Sequence, residues 1–172
     1  LREDMTNHLL DLLGRNALDL ALIAFPYENI GGLDHRILWQ ESFVLAQPET
    51  MPGTGPVSPG DLGPMNLLLL DEGHCLRDQA MAACRLRETP QRRAFGATSL
   101  QTLIQMVQNG YGATLLPEMA VAGGRIPSGI RIRRFKKPAP QRSIGLVWRR
   151  GDARASDFNH LGDYIVKSAG KD

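Results

Sequence analysis

Two cysteines, Cys75 and Cys84, are the residues of this 172-residue chain whose type and spacing could do redox chemistry. The segment between them contains no glycine, proline or β-branched residue, which favours a helix. On a regular helix their nine-residue offset is a rise of about 13 Å and half a turn of rotation. A disulfide needs Cα atoms about 4.4–6.8 Å apart. The two thiols therefore cannot bond while the helix is intact, and a disulfide would require this segment to unwind.

Cys75 is expected to be the thiol that reacts first. It follows Gly73 and His74 at the predicted helix start, where unpaired backbone N–H groups and the positive end of the helix dipole favour a thiolate. His74, Arg77 and a distant arginine could add positive potential, whereas Cys84 lies near the helix end, where the dipole opposes ionisation. The predicted chemistry is oxidation of Cys75 to a sulfenic acid, followed by condensation with Cys84.

Residue types alone leave other interpretations of the cysteines open. Free cysteine is among the most buried residue types, and two small apolar side chains in a helix need no function. A metal site is not expected, because the two cysteines and His74 lack a second close pair of ligands. The sequence has no Cys-x-x-Cys motif, and the isolated His8, His35 and His160 are expected at the surface or on helix faces.

Apolar periodicity predicts helices and strands that alternate along the chain. Helical spacing occurs in residues 5–13, 100–107 and 158–165, and buried-strand patterns occur in 18–25, 37–46, 66–70, 113–116, 130–135 and 143–148. Thr98 and Ser99 predict the N-cap of the middle helix. Nine of the seventeen residues from Pro48 to Pro64 are proline or glycine, which predicts a surface connection. The alternation predicts an α/β fold with largely parallel sheets.

The net charge of +2 is unevenly distributed, with −7 over residues 1–90 and +9 over residues 91–172. The basic excess could bind nucleic acid, but it alternates with apolar residues along predicted strands and is expected to form a solvated face. It comprises Arg131, Arg133, Arg134, Lys136, Lys137, Arg142, Arg149, Arg150 and Arg154. No apolar run approaches the roughly 18 residues that span a bilayer, so no membrane partner is expected. Two cysteines without an export leader indicate a reducing, cytoplasmic compartment.

Four segments resemble the regulatory domains of hydrogen-peroxide-sensing LysR-type transcription regulators. Residues 73–81, Gly-His-Cys-Leu-Arg-Asp-Gln-Ala-Met, together with Cys84, match the family's signature and place both cysteines at the family spacing. Residues 97–103 and 110–117 resemble the segments that follow, the second being a general LysR-type motif, and residues 141–147 resemble the returning crossover strand. The resemblance covers nearly the whole chain and favours functional cysteines over incidental ones.

The resemblance implies two Rossmann-like α/β lobes of the periplasmic-binding-protein-like type, with two crossover strands. Lobe I would comprise residues 1–42 and 146–172, and lobe II, which carries the cysteines, residues 43–145. The sequence begins at Leu1, which suggests a domain cut from a longer protein. The first strand of lobe I and the family's N-terminal winged helix-turn-helix would then be missing, and DNA binding would belong to the parent protein.

The resemblance also implies a small polar pocket between the lobes in which hydrogen peroxide lies near Cys75. The backbone of Gly73 and His74 and the hydroxyl of Thr6 would orient the peroxide, and Arg142 would support the reactive thiol. No cofactor is implied, and the activity would be regulation rather than catalysis. Some family members carry a histidine where this chain has Ala94, so no role of that histidine is carried over.

The implied partners are a second copy of the domain in a homodimer, a homotetramer of the full-length protein, DNA through the missing N-terminal domain, and RNA polymerase. Two other functions remain open at this point. An effector domain for an organic acid would leave the cysteines incidental. A thiol peroxidase or Cys-His hydrolase is disfavoured, because the sequence lacks a Pro-x-x-x-Thr-x-x-Cys arrangement and a placed partner for His74.

Overall fold

The computed structural model describes residues 1–27, 30–87, 96–124 and 126–170. Its helices and strands confirm the predicted α/β fold. In chain order they are α1 (Thr6–Gly14), β1 (Leu20–Phe25), β2 (Leu33–Pro48), β3 (Leu67–Leu70), α2 (Cys75–Ala83), β4 (Gly96–Ala97), α3 (Leu100–Gln108), β5 (Ala113–Pro117), α4 (Glu118–Val121), β6 (Ile130–Arg134), β7 (Gln141–Arg149) and α5 (Ala155–Ser168). Short 3-10 helices occupy Pro59–Leu62 and Ala122–Gly124.

The chain divides into two compact units. Unit 1 comprises Leu1–Gln40 and Arg142–Asp172, and unit 2 comprises Glu41–Gln141. Strands β2 and β7 therefore each begin in one unit and end in the other. The lobe boundaries expected from the sequence lie after residues 42 and 145.

Unit 1 is a sheet in the order β1–β7–β2, with helices α1 and α5. Strand β1 runs antiparallel to β7, from Leu20 opposite Trp148 to Phe25 opposite Ser143. Successive residues of a strand point to opposite faces, so β7 contributes to two apolar clusters. Val147 packs with Leu13 of α1, while Trp148 packs with Phe158 of α5.

Unit 2 contains the parallel pairs β3–β4 and β3–β5, together with the antiparallel pairs β2–β5 and β2–β6. The expectation of largely parallel sheets is therefore wrong. Parallel pairing occurs where a helix lies between the paired strands, as α2 does between β3 and β4. Strand β2 enters unit 2 from unit 1 and runs opposite to its neighbours there. All four residues of β3 are buried, as expected for a strand covered on both faces.

The segment rich in proline and glycine is largely exposed, as expected for a surface connection, but it also carries residues that reach the core. Val57 and Leu62 within it are 0% exposed and belong to the core of unit 2. Ser58 and Asp61 form a capping box around the 3-10 helix that carries Leu62. The amide of Gln47, itself fully buried, donates to backbone carbonyls of the segment, Met51 among them at 3.1 Å. Buried apolar side chains and hydrogen-bonded carbonyls thus order a segment whose composition predicted only a loop.

Helix α3 begins where the sequence predicts. The hydroxyl of Ser99 accepts a hydrogen bond from the backbone N–H of Thr102 at 3.1 Å, which caps α3 as predicted. Helix α5 spans 14 residues and packs on the sheet of unit 1 through Phe158. Within the described ranges, no helix combines the length and the apolar character needed to cross a membrane.

Candidate functional site

Cys75 is the first residue of α2, reached by a tight turn from the end of β3. Gly73 adopts φ 93°, a left-handed conformation that glycine tolerates far better than other residues. His74 then returns to an extended conformation as the N-cap, and its backbone N–H donates to the carbonyl of Asp71 at 3.3 Å. Gly73 and His74 thus form the turn into α2, which begins at Cys75. Cys75 is half-buried and is not part of a disulfide.

Arg77 holds the first turn of α2 against β3. Its side chain is 3% exposed, and its Nη1 donates to the carbonyl of Leu70 at 2.9 Å. Leu70 is the last residue of β3, so this bond spans the turn that carries Cys75. The sequence suggested Arg77 as a source of positive potential. The structure shows that Arg77 also positions the helix. The sequence did not predict this role, because a charged residue alone does not indicate which face of α2 packs against β3.

Cys84 is the C-cap of the same helix and has the opposite environment. It is 2% exposed and packs with the apolar core of unit 2, including Phe43, Leu45 and Ala80. Burial raises the pKa of the Cys84 thiol from its usual value near 9 to about 12. Near neutral pH, Cys84 is therefore a protonated thiol shielded from solvent. One helix thus separates a half-buried thiol at its N-terminus from a buried, protonated one at its C-terminus.

Helix α2 is short enough to depend on these contacts. It has nine residues, fewer than the roughly 12–15 that an isolated helix needs to be stable in water. Arg77, Ala80 and Cys84 therefore supply much of what keeps it folded. A Cys75–Cys84 disulfide is incompatible with this helix, because the nine-residue offset holds the Cα atoms too far apart. The arrangement can couple thiol oxidation to the folding of one segment.

The remaining predicted site residues lie in unit 1. Thr6 is the first residue of α1 and half-buried, and the N-cap of that helix is Met5 rather than Thr6. Arg142 lies at the start of β7 and is half-buried. Their roles toward peroxide stay predictions. Ala94 lies outside the described residues.

Several histidines and basic residues have local partners instead of forming a further site. His8 Nδ1 lies 2.8 Å from Asp4 Oδ2, and the ring of His35 stacks on Phe25 with 5.2 Å between centroids. In the part of the chain that the structure describes, no three His, Cys, Asp or Glu side chains are grouped so as to hold a metal ion. The basic excess of the second half is largely engaged in ion pairs and carbonyl contacts, such as Arg134 with Glu118, Arg154 with Asp19, and Arg131 with the carbonyl of Met51.

Comparison with known proteins places this arrangement in a family. Residues 1–170 match the family described as the LysR substrate binding domain. A probable hydrogen peroxide-inducible genes activator of Mycobacterium leprae is 40% identical over 166 residues, which cover 95% of this chain and 53% of that protein. The chain thus spans about half the length of the curated relatives it matches.

Solved structures agree with that match. The reduced regulatory domain of OxyR2 from Vibrio vulnificus superposes with a TM-score of 0.86 at 35% identity, covering 97% of this chain and 79% of that one. A cysteine-to-serine mutant of Corynebacterium glutamicum OxyR with H2O2 bound gives a TM-score of 0.87 at 30% identity, covering 98% of this chain and 54% of that one. The predicted periplasmic-binding-protein-like fold of the LysR type is confirmed. The chain therefore belongs to the LysR substrate-binding domain family, with OxyR regulatory domains among its structural neighbours.

Proposed function

We propose that this chain is the regulatory domain of a LysR-type transcription regulator that senses hydrogen peroxide through Cys75 and Cys84. The observation that carries the proposal is the contrast between the two thiols. Cys75 is half-buried at the start of α2, while burial at its other end raises the pKa of Cys84 to about 12. The relative named as a peroxide-inducible activator and the H2O2-bound neighbour support peroxide as the oxidant.

The chemistry proceeds in two balanced steps. The Cys75 thiolate attacks one peroxide oxygen, so that an S–O bond forms, the O–O bond breaks and hydroxide leaves. The product at Cys75 is a sulfenic acid. The Cys84 sulfur then attacks the Cys75 sulfur, so that the S–S bond forms, the S–O bond breaks and the hydroxyl leaves as water with the thiol proton.

Backbone groups and side-chain donors orient the peroxide and stabilise the departing hydroxide. The groups proposed for this role are the backbone of Gly73 and His74, the Thr6 hydroxyl and the Arg142 guanidinium. The turn at Gly73 supports the first two, because it presents them directly before Cys75. Thr6 and Arg142 rest on the family resemblance.

Oxidation changes the fold of the segment that contains the two cysteines. For the second step, α2 must unwind and Cys84 must leave the apolar core, because the intact helix and the disulfide exclude each other. The altered surface of unit 2 changes the packing of a homodimer of this domain and of a homotetramer of the whole protein. The whole protein is a cytoplasmic regulator, not an enzyme, that binds DNA through an N-terminal domain and acts on RNA polymerase.

Mass spectrometry after brief exposure of the reduced chain to micromolar peroxide tests the proposal. The expected product is a Cys75–Cys84 disulfide, and Cys84→Ala should instead accumulate one added oxygen on Cys75. Cys75→Ser should stay unmodified at Cys84, since that thiol is buried and protonated. If Cys84 were oxidised before Cys75, or if neither thiol reacted, the proposal would be overturned and an effector domain with incidental cysteines would be favoured.

A further inference from the structure

The apolar core around Cys84 is completed by a segment that lies outside helix α2 and outside the seven strands. Val57 and Leu62 are 0% exposed and belong to the same buried cluster as Cys84, and the partly buried Met51 packs against that cluster. Most other buried members of the cluster lie on strands β2, β3 and β5. Residues 51–62, here called the cover segment, therefore form the wall of the Cys84 site that is not a strand or a long helix.

Three polar side chains, here called the clamp, hold the cover segment through its backbone carbonyls. The amide nitrogen of Gln47, a fully buried residue, donates at 3.1–3.2 Å to the carbonyls of Met51, Pro52 and Gly53. Arg131 donates to two of the same carbonyls. Arg133 donates from Nε to the carbonyl of Gly55 at 2.7 Å and from Nη1 to Oε1 of Gln47 at 3.1 Å. Arg133 thus binds both the cover segment and the amide that holds it.

The alternation of side chains along a strand places the clamp on the same sheet face as the Cys84 core. Gln47 and Leu45 are two residues apart on β2 and therefore share a face, and Leu45 packs in the Cys84 cluster. Their partners across the strand pair are Arg131 and Arg133, whose side chains lie on that face too. The residues of β2 between them belong to the cluster on the opposite face. The clamp and Cys84 therefore lie on one side of the sheet of unit 2.

Opening of the cover segment is the least costly way to uncover Cys84 without unfolding the sheet. The strands of the core are joined by ladders of backbone hydrogen bonds. The cover segment pairs through the isolated bridge of Val57 with Phe135, and its 3-10 helix has four residues. Residues 52–56 are exposed. Segments with few buried apolar contacts and exposed backbone open locally at lower free energy than core strands.

We propose that the clamp controls how readily Cys84 leaves the core, and thereby the rate of the disulfide step. The inference rests on the proposed function, in which the Cys84 sulfur must reach the sulfenic acid at Cys75 and displace water. Gln47 and Arg133 are positioning residues, because they act on Cys84 through the cover segment. Weakening the clamp speeds disulfide formation and leaves the first oxidation unchanged, since the clamp does not hold the turn before Cys75. The clamp thus determines the delay between oxidation of Cys75 and the change of fold.

The first test measures the exposure of Cys84 without any peroxide. In the Cys75→Ser chain, slow alkylation of Cys84 by iodoacetamide is followed by mass spectrometry. Adding Arg133→Met should raise the alkylation rate at least about fivefold, because two hydrogen bonds from a charged donor are lost. The increase should hardly depend on urea below the unfolding transition, since a local opening exposes little surface.

Val107→Ala is the control for a general loss of stability. Val107 is 0% exposed and belongs to the cluster on the opposite face of the sheet, so the substitution destabilises unit 2 without touching the cover segment. Any extra alkylation of Cys84 in this variant should rise steeply with urea, as global unfolding requires. An unchanged rate in Arg133→Met, or an increase with the urea dependence of Val107→Ala, would overturn the proposal.

A substitution inside the cover segment should act in the opposite direction. Gly60 lies in the 3-10 helix without a left-handed backbone, and an added Cβ there meets nothing within 4 Å. Gly60→Ala therefore restricts the opened segment more than the closed one and should slow alkylation of Cys84 about two- to fivefold. Gly14→Ala, equally open but on α1 of unit 1, should leave the rate unchanged. No slowing in Gly60→Ala would contradict release of Cys84 through this segment.

The second test follows the two chemical steps after addition of peroxide, by quenched-flow mass spectrometry. Arg133→Met in the Cys84→Ala chain should form the Cys75 sulfenic acid at the parent rate. With both cysteines present, Arg133→Met should form the disulfide at least about fivefold faster than the parent chain. Disulfide formation at the parent rate would overturn the proposal. If the clamp variants change alkylation of Cys84 but peroxide produces no disulfide in any chain, the proposed function fails while the hold of the clamp on Cys84 stands.

Discussion

The guanidinium of Arg77 donates a hydrogen bond from Nη1 to the carbonyl oxygen of Leu70 over 2.9 Å. Leu70 ends β3 and Arg77 is the third residue of α2, so the bond closes the turn that carries Cys75. Because Arg77 is almost fully buried, water cannot easily replace it as the donor. The position of Cys75 thus depends on an anchor between strand and helix in addition to the helical propensity of the segment.

Arg77→Met should lower the free energy of unfolding of the reduced chain by about 1–3 kcal/mol, because the Leu70 carbonyl would be left without this donor. Urea denaturation followed by circular dichroism, with reductant present, measures the change. Arg15→Met is the control: it removes an exposed arginine and should stay within about 0.5 kcal/mol of the parent chain. Indistinguishable stabilities of the two variants would show that the anchor contributes nothing.

Gly73→Ala should strain the turn before Cys75. At φ 93° an alanine is disfavoured by about 1–2 kcal/mol, and relief of that strain would displace the His74 backbone and Cys75. The second-order rate of Cys75 oxidation by peroxide should therefore fall, as followed by quenched-flow mass spectrometry. Gly14→Ala serves as the comparison, since an added Cβ there meets nothing within 4 Å. Equal rates in both variants would argue against a role for the turn.

The local elements around the thiols could be predicted from the sequence. The uninterrupted apolar run of β3 predicts a buried strand, and the helix-forming residues after Cys75 predict the helix that follows it. Gly73 marks the turn between them. These features depend on neighbours within a few residues, which is the range over which propensity and periodicity act.

Features that depend on distant pairing could not be predicted. The direction of β2 against β5 is set by a strand that arrives from the other unit, so the expectation of parallel sheets failed. Burial of Val57 within a segment rich in proline and glycine depends on a bridge to Phe135, far along the chain. The hydrogen bond from Arg77 to Leu70 likewise depends on which face of α2 packs against β3. Local composition does not predict these contacts.

Alkylation should distinguish the two thiols in the folded, reduced chain. Iodoacetamide should modify Cys75, which is half-buried, and leave Cys84 unmodified, because Cys84 is 2% exposed and its pKa is raised to about 12. Peptide mapping by mass spectrometry quantifies each site. Both cysteines should react in denaturing urea, which shows that folding gives the protection. Modification of both at similar rates without urea would contradict the burial of Cys84.

The raised pKa of Cys84 should also make stability depend on pH in alkaline solution. The unfolded chain releases this proton near pH 9, whereas the folded chain holds it until about pH 12. The contribution of the protonated thiol to the free energy of unfolding is thus fully present below about pH 9. It is lost as pH rises toward 12, at up to about 1.4 kcal/mol per pH unit. Cys84→Ala lacks this titration. The stability difference between the parent chain and Cys84→Ala should therefore shrink by about 1 kcal/mol between roughly pH 9 and pH 10. Urea denaturation of both proteins in reductant measures this stability difference. The other titratable groups are the same in both proteins, so a difference that stays constant with pH would mean that Cys84 ionises as easily in the folded as in the unfolded chain.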